Sequence, residues 1–441
     1  MSAFSPKVST ATSQIRAMEI NQARQRVSLV DLLNPSSMYP VFNSLRASLD
    51  ACSILNLTST CKRLHSLRHY LWDINRSLRR FVDDPMEFRS QMGAADGLIS
   101  GSFVLQFFEG VFWEESDLDV FIRNDGRERA FAAYLIHKES YECINPVGSD
   151  AQVDPLEYEM KGDFKVLTYL RKSSNNTTHY PKIQIIVTKD LPIFRILQSF
   201  YTTCVVNVIS WNKAYAIYAR PTFAMHKTYC LRSVDDTIGA LLRKYSDRGW
   251  QSHDVLWPEE ARSPLNPFRT PRRVGDSFTW TLPLSTTGIR TSKTPDSVLE
   301  YSQFGFAHTN DTTNIDAQTY SFQTCYGVEI LPFRAHVLRY DYTFTSSDSG
   351  WCFYLGERVD RLTYLELRKM RPEDRPEEFE QSISRDGEPQ TRCLYTWDFE
   401  KPAWWTYYDA QIPEWYKQYE EDQVRAKGLF PDSERRVSRG R

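Results

Sequence analysis

"GSFVLQFFEGVFWEESDLDVFI", residues 101–122, opens on a Gly-Ser pair, runs through an apolar helical segment, and ends with Asp117 and Asp119 one residue apart before Val-Phe-Ile. Residues two apart on a strand share a side. Asp117 and Asp119 therefore project together, while Leu118 and Val120 turn to the core. Two carboxylates that close repel each other unless a cation stands between them. Magnesium takes oxygen ligands and commonly shares its coordination with substrate phosphates. A Gly-Ser turn that feeds a helix offers a phosphate backbone N–H groups, a hydroxyl and the positive end of the helix dipole. In this order, the parts point to binding of a metal and a nucleotide.

Outward from this stretch, residues 84–250 alternate helix and strand patterns. "FVLQFFEGVF" reads as a helix and "DLDVFIR" as a strand. "RERAFAAYLIHKES" is a second helix, and "FKVLTYLRK" and "KIQIIVTKD" form a strand pair around the polar turn "SSNNTTHYP". "PIFRILQSF" is a helix opened by Pro192, followed by the strands "VVNVIS" and "AYAIYA". The fold class expected is α+β, with a mixed α/β core at 84–256.

"ISGSFVLQFFEGVFWEESDLDVFI" resembles the signature of the DNA-polymerase-beta-like nucleotidyltransferase fold: Gly-Ser, helix, then Asp-x-Asp on a strand. The resemblance implies that Gly101 and Ser102 hold the triphosphate and that Asp117 and Asp119 ligate Mg2+. It implies transfer of a nucleoside monophosphate from an NTP to a hydroxyl-bearing acceptor. The chain also resembles a group of fungal proteins that join this core to "IQII" (183–186), "VVNVISW" (205–211) and "KYSDRGW" (244–250), a similarity spanning about residues 95–280. Active members of the fold bring a third acid from a later strand; the corresponding place in "KIQIIVT" holds Gln184. An amide accepts a hydrogen bond but cannot take a proton from an attacking hydroxyl. Asp154, Glu157, Glu159 and Asp163, just before the strand pair, are substitute acids to consider. Lys213, beside "AYAIYA", is a candidate triphosphate contact or a solvated strand edge. Arg243, Lys244 and Arg248 complement the dipole at a helix end, and Tyr245 and Trp250 are packing residues.

Residues 1–26 are expected to be flexible and 27–83 helical. "DACSILNLTSTCKRLHSLRHYL" resembles the second half of an F-box, although "LLNPSSMYPVFNSL" stands where an F-box carries Leu-Pro and an acidic helix. That resemblance implies docking to a ubiquitin-ligase scaffold through residues 40–72. It supplies the alternative function, a non-catalytic adaptor that uses a degenerate transferase fold for recognition. A proline-bearing linker is expected at 257–273, a β-rich aromatic region at 274–425 and a disordered tail at 426–441. The aromatic run "PAWWTYYDAQIPEWYKQY" is expected to dock on the main body, since that density of exposed rings invites aggregation.

A net charge of −2 gives no global basic bias for a polyanion partner. The cysteines form no CxxC pair, His65 and His69 at i, i+4 on the N-terminal helix are read as ordinary surface residues, and no P-loop, GxSxG or kinase motif is present. No apolar run is long enough to span a bilayer, and the N-terminal residues lack a secretory apolar core. The expectation is an intracellular protein, cytoplasmic or nuclear, without a membrane partner.

Overall fold

The computed structural model describes residues 28–33, 39–144, 163–171, 181–268, 271–310, 323–345, 349–381 and 398–429. The chain divides into two units, Met1–Leu71 and Trp72–Arg441. Among the described residues, no helix is long and apolar enough to cross a membrane.

The first unit is helical, with helices at Tyr39–Ala47, Ala51–Ser59, Lys62–His65 and Leu67–Leu71. Asp50 starts the second of these by accepting the Ser53 N–H at 2.6 Å, which satisfies a helix-terminal donor. Phe42, Ile54 and Leu64 are buried, and the Phe42 ring meets Tyr70 edge-on at 5.5 Å. The unit ends at Leu71 rather than at 83 as the helical pattern suggested. Residues 72–83 belong to the second unit: the Trp72 indole donates to the Phe108 carbonyl at 3.0 Å, and the Tyr141 hydroxyl donates to that of Phe81 at 2.8 Å.

The second unit is built on an eight-stranded sheet. Its strands are β1 (Leu98–Ser100), β2 (Leu118–Arg123), β3 (Glu142–Ile144), β4 (Phe164–Leu170), β5 (Lys182–Thr188), β6 (Asn207–Ile209), β7 (Lys213–Ala216) and an edge strand, Trp280–Pro283. Across the sheet the order is edge strand, β7, β6, β1, β2, β5, β4, β3. β2 runs parallel to β5, and every other pairing is antiparallel. The architecture is therefore mixed α+β around one large sheet.

The edge strand comes from beyond the expected core boundary at 256 and pairs residue by residue with β7, from Trp280↔Ala216 to Pro283↔Lys213. Of the stretch expected as a linker, 257–273, the described residues 257–268 and 271–273 carry folded structure. It contains the helix Pro258–Arg262, with its proline in the first turn where no N–H is needed. Its Phe268 is 1% exposed, and the buried Arg272 donates to the Ile217 carbonyl at 2.9 Å. Proline marked a helix start here, not a mobile connection.

The region 274–425 is likewise not simply β-rich. Strands at Gln303–Asn310, Gln323–Glu329, Leu331–Phe333 and Tyr342–Phe344 are accompanied by the long helices Ser349–Lys369 and Ile412–Leu429. Trp351, Leu355, Val359, Trp405, Ile412 and Trp415 share one buried cluster, so the aromatic run docks on the body of its own unit. The helix Ile412–Leu429 extends past 426, where a disordered tail was expected to begin. The N-terminal stretch 1–26, the tail beyond Leu429, the turn "SSNNTTHYP" up to Tyr180, and Asp154, Glu157 and Glu159 lie outside the described residues.

Candidate active site

The site grows from the turn between β1 and the helix Ser102–Glu109. β1 enters buried and antiparallel to β2, with Ser100 facing Asp119 across the ladder. The Ser100 hydroxyl donates to the Asn207 carbonyl at 2.6 Å, which ties the turn to β6. At Gly101 the backbone adopts φ +79° and ψ −152°. A Cβ there would stand 2.7 Å from Asp119 Oδ2. Glycine is needed twice over, for the dihedral and for the approach of the carboxylate.

Ser102 begins the helix, whose buried Phe103, Val104, Phe107 and Phe108 anchor it on the sheet. Its hydroxyl shares a 2.8 Å hydrogen bond with that of Ser116. Gln106 accepts the Trp113 N–H at 2.7 Å and so shapes the loop that returns the chain to β2. Gly110, at φ +70°, caps the helix by donating to the Gln106 carbonyl.

β2 buries Leu118, Val120 and Ile122 and leaves Asp119 half-buried. On β5, Gln184 stands directly opposite Asp119. Paired residues of adjacent strands share a face, so Gln184 holds the third-acid position as an amide. Two residues earlier on each segment, Lys182 at the start of β5 reaches Asp117 just before β2, Nζ to Oδ2 at 2.6 Å. Gly101, Ser102, Asp117 and Asp119 line a single cavity of about 150 Å³, closed by Phe200, Tyr201, Lys244 and Tyr245, with Glu115 at its wall.

Asp119 is pushed up to about 7, chiefly because burial disfavours its charge and then because Asp117 lies close by; Lys182 and Lys244 pull the other way. Asp117 has its lysine, whereas Asp119 keeps a raised pKa beside it, so a cation bound between the two carboxylates would stabilise the charged form of Asp119. Among the described residues, no group of three or more His, Cys, Asp or Glu side chains could by itself hold a metal ion. A magnesium ion on Asp117 and Asp119 would thus complete its coordination with phosphate oxygens and water, its usual arrangement in nucleotide sites.

Four of the residues singled out from the sequence, Gly101, Ser102, Asp117 and Asp119, come together around the cavity; Gln184 is paired with Asp119 across the ladder but does not line the cavity. Lys213 does not join them. It sits on β7, three strands from β2, and is held at 2.7 Å by both Asp296 and Glu300. Lys182 and Lys244 are the cations at the site. Lys182 carried no signal, since its role depends on strand register. Lys244, which the helix-end position suggests as a dipole partner, and the buried Tyr245 both line the cavity. Asp163, the substitute acid within the described residues, immediately precedes β4 opposite the far end of β5 from Gln184. Searches against family models, curated proteins and solved structures return no match to the chain.

Proposed function

We propose that the cavity binds the phosphates of a nucleoside triphosphate together with magnesium, and that the protein transfers the nucleoside monophosphate to a hydroxyl-bearing acceptor. The observation that carries this is Gly101, whose backbone approaches Asp119 so closely that no side chain fits between them. A volume near 150 Å³ suits phosphate and a hydrated cation. Whole-ligand pockets run to about 300–1,000 Å³, so base and sugar would lie outside it.

Asp117 and Asp119 would hold the ion, which supplies charge neutralisation at the phosphates. The amides that open the Ser102 helix and the Lys244 ammonium would orient the phosphate chain. The acceptor oxygen forms a bond to the α-phosphorus, the bond to the β-phosphate oxygen breaks, and pyrophosphate leaves. The acceptor proton passes to water, because Gln184 cannot take it. Loss of a general base costs about 10²–10⁴-fold in rate, so slow turnover is expected.

The test is pyrophosphate release from each of the four common NTPs with magnesium, and transfer of the α-phosphate label to macromolecular acceptors. Release and labelling above the level of the Asp117→Ala/Asp119→Ala protein support the reading; equality with that variant contradicts it. The Lys182–Asp117 ion pair favours a second reading, in which a lysine stands in for the metal and the fold serves as a non-catalytic adaptor. In that case magnesium would leave nucleotide binding unchanged.

A further inference from the structure

A cavity of about 760 Å³, five times the volume of the phosphate pocket, lies at the other end of β2. Arg123 lines it, four residues along the strand from Asp119, which is about 13 Å at a strand's rise. Phe121 lies between them on the same face, packed on Phe200 with ring centroids 6.1 Å apart, so the two spaces are separated by aromatic side chains.

The cavity is preformed. One wall is the segment Arg290–Thr294, pinned from several sides. The Arg290 N–H donates to the Ser90 hydroxyl at 3.1 Å and its guanidinium to Glu87 at 2.7 Å. Thr294 and Ser292 donate to the two oxygens of Asp96 at 2.8 and 3.3 Å, and the Tyr340 hydroxyl donates to the Lys293 carbonyl at 2.9 Å. Asp96 takes a left-handed backbone, φ +47°, unusual outside glycine, to present that carboxylate. Gly93 lies against Trp211, where a Cβ would come within 3.0 Å of the tryptophan Cβ.

Its chemistry is two-sided. Leu98, Leu191, Ile193, Val298, Leu299 and Trp211 supply apolar wall. The carboxylates of the lining already have cations: Asp341 has Arg123 at 2.8 Å, Asp96 has Arg127, and Asp296 has Lys213 at 2.7 Å. Lys293 and Arg339 also line the space and are exposed; the Arg339 guanidinium lies over the Tyr407 ring, 4.8 Å from its centroid, and Lys293 has no carboxylate partner among the described residues. A volume in the range of whole-ligand pockets, an apolar interior and surplus positive charge at the rim define the occupant.

We propose that this cavity is a second binding site, for a small organic anion with an apolar or aromatic body and its charged head at Lys293 and Arg339. The site does not rest on the nucleotide reading, since none of its wall residues touches the phosphate pocket.

The test is calorimetric titration of the full chain with 1-anilinonaphthalene-8-sulfonate. One saturable site is expected, weakened at least tenfold by Lys293→Glu and abolished by Leu299→Trp, which fills the interior. The Asp117→Ala/Asp119→Ala protein should bind the probe as the wild type does. Displacement by laurate would assign an aliphatic carboxylate as the source of the chemistry, and displacement by AMP an aromatic phosphate; either supports the site. Absence of binding, or binding undiminished by Lys293→Glu, would overturn it. Lys293 is exposed, so that variant tests the site even where the tryptophan variant fails to fold.

Discussion

A methyl group added at Gly101 would meet Asp119 Oδ2 at 2.7 Å on a backbone at φ +79°, ψ −152°. Non-glycine residues in such sparsely populated regions cost about 1–3 kcal/mol. Gly101→Ala should therefore lower thermal stability and remove magnesium-nucleotide binding together, read by calorimetry and melting. Lys182→Met should act differently. The pair it breaks is about one-third exposed on each side, 36% and 30%, so the stability change stays within about 1 kcal/mol. Freed of its lysine, Asp117 should bind magnesium more tightly, measured by titration of the ion. Gln184→Asp restores an acid opposite Asp119 and should raise transfer by up to about 10²–10⁴-fold in the pyrophosphate assay. The pH dependence follows from Asp119, held at about 7 against an ordinary 3.8. Between those values the folded state keeps a proton that the unfolded chain releases. This group's contribution is thus fully present below the ordinary value and is lost as pH rises through about 7. Magnesium competes with that proton, so the ion should raise the melting temperature near pH 8 and leave it unchanged near pH 5. At this scale the acid pair was legible because strand alternation is a local rule. Lys182 was not, since its place opposite Asp117 follows from a register between segments more than sixty positions apart. The choice left open for Lys213, triphosphate contact or strand-edge charge, could not be made from the sequence because its partners Asp296 and Glu300 are just as remote in the chain.

Among the elements, the strands and helices flanking the site were readable from periodicity, from the Ser102 helix through β2 to β5 and β6. The helix Ser349–Lys369 was not recognised, although its buried residues Trp351, Leu355, Val359, Thr363 and Leu367 recur at every fourth position. Aromatic and β-branched neighbours drew attention to strands, and packing against Ile412 and Trp415 overrode that preference. Trp351 is 1% exposed, and Trp351→Ala should cost about 3–5 kcal/mol of stability, measured by denaturant unfolding. The variant's phosphate pocket, built on other strands, should bind magnesium-nucleotide normally wherever the protein remains folded.

In the whole molecule, the division falls at Leu71, and the sheet recruits Trp280–Pro283 across a proline-bearing stretch that composition marked as a linker. Composition cannot distinguish a proline that opens a helix from one that stiffens a connection; the buried Phe268 and Arg272 do. All residues of both proposed sites belong to the unit Trp72–Arg441. The most direct measurement of the central claim is calorimetric titration of magnesium-NTP into the full chain and into its Asp117→Ala/Asp119→Ala variant, with each of the four bases. A single saturable, magnesium-dependent site in the wild type that disappears in the variant is the result expected. Equal binding by the two proteins, or none by either, would contradict it.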